Sequence, residues 1–315
     1  MTAPVIGVDI GGTKTAAALV DPDGRVRARR EAPTPARAGP EAVLDTAAGL
    51  AADLFDPAGA GPVGVGTAGT GPVGVGTAGT VDPATGIIRY ATDSLPGWAG
   101  TPVADALAAR LGRPVRVTND VSAAALGESW AGAGRGRRHV LLVAVGTGLG
   151  GAMVRDGRVE TGARGAAGQL GHLPAPGAHR LRCGCGRYGH LEAIASGTGL
   201  SAAYAAATGT RVTGRTVAER ANAGDRIAGQ VVDRAGAALG AALAGLVALL
   251  DPETVLVTGG AAAVLLPAAS AAYRAELPEG WAGVPLLPAA LGADAVLVGA
   301  ARLATRTTDD GGTGP

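Results

Sequence analysis

The chain is short of aromatic residues, of cysteine and of net charge. Phe, Trp and Tyr make up 3% of its 315 residues, yet Val and Leu still recur in ordered runs, so the bias towards small residues marks composition and not disorder. A formal net charge of +1 removes any broad electrostatic case for nucleic acid or a membrane surface and favours small-molecule partners. The longest apolar stretch, Ala235 to Leu250, falls short of a bilayer span, and no charged segment precedes an apolar one at the N-terminus. With two cysteines in so long a chain, these absences predict a cytoplasmic protein in a reducing compartment, with no membrane anchor. The length suits two domains or one large one.

What is scarce is also clustered. Both cysteines and three of the four histidines fall between Leu170 and Glu192, with His172 followed by Cys183-Gly-Cys185 and His190. A Cys-x-Cys pair is too close for an unstrained disulfide, whereas its thiolates with two imidazoles complete a tetrahedral shell for Zn²⁺. The plainer alternative is a pair of buried thiols beside surface histidines. Four protein ligands leave no position for an activated water, so the expected zinc is structural.

Along the chain, Val5 to Ile10 reads as a buried strand, Gly11-Gly12-Thr13-Lys14 as a tight turn, and Thr15 to Val20 and Val26 to Glu31 as strands joined at Asp21-Pro-Asp-Gly24. An amphipathic helix is expected over 40–54. Gly61 to Thr70 then reads GPVGVGTAGT, and Gly71 to Thr80 repeats it without change. Repeat architectures need longer and more numerous units, so this is a local duplication. One copy suffices for a short strand and a Gly-rich loop. The second, next to Val81-Asp82, is expected to take that place, and the first to form an extended surface loop.

A strand over 115–118 should deliver Asn119-Asp120 to a helix over 121–130, and a strand over 139–145 should lead into the glycine turn 146–151. Arg135 to Arg138 reads as a solvated basic loop. Helices are expected over 196–207, 216–223 and 225–250, and a strand over 254–257 ending in Thr258-Gly259-Gly260. The polar, Gly-rich segment from Thr305 reads as a disordered tail. Strands alternating with helices and ending in glycine turns give an α/β fold.

Three of those turns share one design, an apolar strand that brings the chain to glycines whose N–H groups can approach an anion: Asp9 to Thr13, Gly146 to Gly151 and Thr258 to Gly260. None has P-loop spacing, and the first does not meet the Rossmann fingerprint. Singly each is an ordinary turn; their order narrows the choice. With Asp9-Ile-Gly-Gly-Thr-Lys14, Val117-Thr-Asn119-Asp120 through Ala-Leu-Gly-Glu128, Gly146 to Gly151, Gly165-Ala-Ala-Gly-Gln-Leu-Gly-His172 and Cys183 to Glu192, nearly the whole chain resembles the ROK family of sugar kinases and sugar-responsive repressors.

The resemblance implies a two-domain actin-like ATPase (ribonuclease H-like) fold with an interdomain cleft. The small N-terminal domain would span 1–118 and be completed by about 297–304, and the large domain with the zinc loop would span 119–296. It implies ATP-dependent phosphorylation of a hexose 6-hydroxyl. Asp120 would be the general base, because an attacking hydroxyl needs a carboxylate within hydrogen-bond reach and the rest of phosphoryl transfer depends on positioning and Mg²⁺. From spacing alone Asp120 could equally be a helix N-cap. Gly79, Asn119, Asp120 itself, Gln169, His172 and Glu192 would contact the sugar. Asp9, Gly11, Gly12, Thr13, Lys14, Gly146, Thr147, Gly148, Gly259 and Gly260 would serve Mg²⁺ and ATP. The metal ligands would be His172, Cys183, Cys185 and His190, and the protein would be a homo-oligomer, dimer or tetramer.

The chain departs from that pattern twice. His190 stands where the family usually has a third cysteine, and imidazole is a competent zinc ligand. Gln169 stands where it usually has a glutamate that contacts the sugar near C1 and C2. Its NH₂ can donate as well as accept, which suits the carbonyl of a 2-acetamido group and favours N-acetylglucosamine, then N-acetylmannosamine, over glucose. A repressor would need a helix-turn-helix domain ahead of the kinase-like body, and the first strand begins at Val5, so DNA binding is not expected. The rival from another class is a sugar sensor that binds without turnover.

Overall fold

The computed structural model describes residues 3–55, 71–281 and 283–305 and divides into two compact units. Unit 1 comprises Met1–Gly136, Gly157–Ala167 and Ala293–Pro315; unit 2 comprises Arg137–Asp156 and Gly168–Gly292. The first copy of the repeated decapeptide and the tail beyond Thr305 lie outside the described residues.

In unit 1, β1 (Val5–Ile10), β2 (Lys14–Val20) and β3 (Val26–Pro33) form an antiparallel meander, as their turns require. After α1 (Pro40–Phe55), β4 (Val73–Thr77) pairs parallel with β1. A small hairpin, β5 (Thr80–Val81) with β6 (Ile88–Tyr90), and α2 (Val103–Leu111) follow. Then β7 (Val115–Asn119) pairs parallel with β4, so the sheet order is β3-β2-β1-β4-β7. The described copy of the decapeptide therefore supplies a strand flanked on both sides. Its glycines matter for packing: a methyl group on Gly74 would overlap the carbonyl of Ala300, in a helix that lies against β1 and β4. Trp98, almost fully buried beneath this sheet, donates from Nε1 to Thr77 Oγ1 at 3.1 Å.

The boundary does not fall at residue 118. Helix α3 (Asp120–Ala131) packs on the C-terminal helix of the chain and belongs with unit 1. The reason is close packing: α3 is mostly Ala, Gly and Ser on its buried side, and Gly127 and Ala123 meet the backbone of the C-terminal helix at Ala295 and Gly299.

Unit 2 is built on β8 (His139–Val145), β9 (Leu149–Arg155), and, beyond the short unit 1 strand β10 (Arg158–Val159), on helices α4 (Glu192–Ala195), α5 (Gly197–Thr208), α6 (Gly214–Asn222) and α7 (Arg226–Leu250). The strand β11 (Thr254–Thr258), α8 (Ala262–Glu276) and β12 (Leu286–Pro288) complete it. Its strands run in the order β9-β8-β11-β12, with β8–β9 antiparallel and the other pairs parallel. Ser196, Thr213 and Asp225 cap α5, α6 and α7 through their side-chain oxygens, each capping contact worth about 1 kcal/mol.

At 25 residues, α7 is longer than the apolar stretch read from sequence, and by length and composition alone it could cross a membrane. Its face carrying Leu239, Leu243 and Val247 is buried, and it packs on α8, which identifies it as the core helix of unit 2. The chain closes with α9 (Ala295–Ala304), whose Leu297 and Val298 are buried in unit 1 and contribute about 1.5–3 kcal/mol each.

Candidate active site and metal cluster

The parallel register of unit 1 brings strand ends together. Asp9 pairs with Gly76 across β1–β4, and Thr77 pairs with Asn119 across β4–β7, so Asp9, Gly79 and Asn119-Asp120 gather at the C-terminal edge of one sheet. That edge is where open α/β sheets bind ligands. Asn119 caps α3: its Oδ1 accepts from Val121 N–H at 2.9 Å and Ser122 N–H at 3.2 Å. Its Nδ2 donates to the Gly79 carbonyl at 2.9 Å, and Gly79 is left-handed (φ 102°), with Tyr90 O 2.6 Å from where a Cβ would stand. The capping role open to Asp120 is thus taken by Asn119. Asp120 is the first helical residue and accepts from Val121 N–H at 2.8 Å.

Both carboxyls titrate high. Burial, then the charge of Asp120, pushes Asp9 up to about 7, against the opposing pull of Lys14 and Arg29. Burial raises Asp120 too, with hydrogen bonds from Val121 N–H and Asn119 acting the other way. Each keeps some solvent exposure, so each is desolvated yet reachable. Beside Asp9 the Gly11 N–H donates to Lys14 O at 3.0 Å, and Thr34 Oγ1 donates to Gly11 O at 2.7 Å, which fixes the turn. Gly12 lies against Ser94; Thr13 and Lys14 are exposed, and Lys14 reaches Glu31 at 3.3 Å. Arg29, on β3, was not among the residues singled out from sequence. In sequence it is one of three arginines on that strand, with Arg27 and Arg30, and nothing there sets it apart.

Unit 2 has its own glycine edge. Because Thr258 pairs with Ala144 in parallel β11–β8, the turn at Gly146, Thr147 and Gly148 and the pair Gly259-Gly260 share one end of that sheet. The first turn is closed by Gly146 N–H to Gly148 O at 3.0 Å and tied to the start of α5 by Gly197 N–H to Gly146 O at 2.9 Å and Thr198 N–H to Thr147 O at 3.1 Å. Gly146, Thr147, Gly259 and Gly260 are all exposed.

The second group in unit 2 is the cysteine–histidine set. One donor atom each from His172, Cys183, Cys185 and His190 lies within 4.8 Å of every other. Cys183 Sγ is 3.7 Å from His172 Nδ1 and Cys185 Sγ 3.3 Å from His190 Nδ1. A tetrahedral zinc ion with bonds of about 2.0–2.3 Å needs ligand separations of this order, so the donor set fits Zn²⁺. Both histidines turn Nδ1 inwards, which leaves Nε2 of the exposed His172 for another partner. Burial above all, and then Glu192, pushes the Cys183 thiol up to about 12, so metal entry must displace a proton.

Glu192 joins the two groups of unit 2. Its Oε2 accepts from Leu149 N–H at 3.0 Å, and its Oε1 accepts from the Cys183 thiol at 3.2 Å. Gln169 is exposed and precedes the 3₁₀ turn Leu170–His172, with its backbone carbonyl accepting from His172 N–H at 3.0 Å.

The sequence profile of the ROK family matches residues 5–307. An N-acetylmannosamine kinase of Escherichia coli O127:H6 is 37% identical over 307 residues, covering 95% of this chain and 97% of that protein. Among solved structures, a ROK hexokinase from Thermus thermophilus is 38% identical with a TM-score of 0.85, covering 98% of this chain and 100% of that one. A ROK family glucokinase from Streptomyces griseus, solved with glucose and AMPPNP, is 33% identical with a TM-score of 0.78, covering 96% and 99%.

Proposed function

The chain belongs to the ROK family, and on that premise we propose that it is an ATP-dependent hexose 6-kinase acting on an N-acetylhexosamine, N-acetylglucosamine or N-acetylmannosamine. The observation that carries the reaction is Asp120, a desolvated carboxylate at the first turn of α3, released from capping by Asn119. A base with a raised pKa matches the task of taking a proton from a hydroxyl near neutral pH.

Unit 1 supplies Asp120 to take the proton of the 6-hydroxyl. Asn119 and the Gly79 strand end orient the sugar, and Asp9 with the Gly11–Lys14 turn faces phosphate. Asp9, with the charge of Asp120 beside it, fits Mg²⁺, a hard cation that takes oxygen ligands and would offset that charge. Mg²⁺, when bound, neutralises charge on the transferring phosphoryl group. Unit 2 supplies the glycine turn Gly146–Gly148 for phosphate and Gly259-Gly260 for the adenosine side of ATP. Gln169, His172 Nε2 and Glu192 meet sugar hydroxyls and the group at position 2, and the zinc site holds the His172 ring in place.

The preference for an N-acetylated sugar rests on Gln169 as a donor to the acetamido carbonyl. Homo-oligomerisation and a cytosolic location, where the thiols stay reduced, belong to the same proposal. The test is ADP release with Mg²⁺-ATP across N-acetylglucosamine, N-acetylmannosamine, glucosamine, glucose and mannose. Turnover is expected to be best on an N-acetylated sugar, and Gln169→Glu is expected to shift preference about tenfold towards glucose. Best turnover on glucose by the unaltered protein would retain the kinase and remove the role given to Gln169. Sugar binding with no turnover on any of them would replace the kinase by a sensor.

A further inference from the structure

A cavity of about 530 Å³ lies among residues of unit 1 alone. One wall is the outer edge of β7, from Val117 to Asn119, continued by Ser122 and Leu126 of α3; the facing wall is the segment from Arg158 to Ala167. The size is that of a small-ligand pocket. Val81 and Leu126, both buried, give it an apolar floor, with Val159 and Leu303 beside them.

Two observations say what it would take. Thr118 and Ser122 are 8% and 9% exposed, they line the cavity, and their hydroxyls have no protein partner among the described residues. Neither hydroxyl is fully enclosed by protein, so each is open to pair with a polar group held in the cavity. The lining also holds one full charge, Arg158, which makes no ion pair among the described residues, and no carboxylate. The geometry points to a binding site for a small monoanion with an apolar body, its carboxylate at Arg158, its chain on Val81 and Leu126, and any further oxygen at Thr118 and Ser122.

The site differs from the sugar contacts proposed above, but Asn119 lines it, and the side chain of Asn119 holds both the start of α3 and the Gly79 carbonyl. An occupant therefore bears on the placement of Asp120, and by linkage sugar and anion alter each other's affinity. Binding itself does not depend on the kinase reading, and the test omits both ATP and sugar.

The experiment is isothermal titration of the full chain with octanoate, with octanol as the uncharged control. One octanoate per chain is expected, weakened about tenfold or more by Arg158→Gln and abolished by Val159→Trp, which fills the cavity, while octanol binds more weakly than octanoate. Circular dichroism checks that each variant folds; should Val159→Trp fail to fold, Arg158→Gln decides. No saturable binding to the unaltered chain, or equal affinity in the chain and in Arg158→Gln, would overturn the site.

Discussion

Asp9 and Asp120 hang from strand ends that the sheet of unit 1 already holds in register, whereas His172, Cys183, Cys185 and His190 of unit 2 sit on turns and isolated bridges. The first pair is positioned by backbone hydrogen bonds and buried packing, and its cost is a desolvated pair of charges. The second is positioned by turn contacts, such as Cys183 N–H to Arg187 O at 2.8 Å, and the zinc proposed for it would add four bonds to that framework. Changing a carboxylate should therefore alter chemistry and leave the fold intact. Changing a cysteine should alter local structure first.

The largest effect is expected from Asp120→Asn, which keeps the shape of the site and removes the base. Turnover should fall by about 10²–10⁴-fold while sugar affinity by calorimetry stays within about threefold. Parallel loss of binding would assign Asp120 to sugar recognition instead.

Cys183→Ser comes next. Zinc content by mass spectrometry should drop from one per chain to none, and turnover should fall about 10–100-fold, because Glu192 and His172 lose their support together. A chelator should lower the melting temperature of the unaltered protein and leave that of the variant unchanged. Full metal content in the variant would remove Cys183 from the ligand set.

Asp9 gives the pH test. Its folded pKa of about 7 lies above the unfolded value of 3.8, so the stability it contributes is complete below about 3.8 and is lost as pH rises through about 7. In the absence of Mg²⁺, Asp9→Asn should therefore melt higher than the unaltered protein at pH 8 and not at pH 3.5. With Mg²⁺, apparent metal affinity should weaken by up to about tenfold for each pH unit below 7. A pH-independent affinity between 5 and 8 would remove Asp9 from the metal site.

The smallest change is expected from deleting Gly61 to Thr70. The retained copy already provides β4, including the Gly74 that admits α9, so stability should shift by under about 1 kcal/mol, chiefly through loop closure. A rise in stability or activity would mark the extra copy as a burden. Loss of the fold would show that the first copy is needed.

Legibility in the sequence followed the same division. Strands 5–10 and 139–145 and the capped helix 226–250 stood out, because apolar runs end there at glycines or at a capping Asp. Helix α8 did not, since it is apolar on most sides and carries Pro267 inside. The four clustered donors were readable because the types are scarce here and lie close in the chain. Their facing geometry, with both Nδ1 atoms turned to sulfur, was not.

The sequence by itself determined most of the local elements, the glycine turns and the cluster of two cysteines with two histidines, since each depends on residue types close together in the chain. Only the tertiary structure decided that α3 joins unit 1, that Asn119 rather than Asp120 caps it, and that Arg29 and Asp120 act on Asp9. The packing of α3 and the field at Asp9 depend on strand pairing and on the loss of water around groups from separate elements, and the cap depends on the backbone that Asn119 takes where β7 ends; local pattern carries none of these.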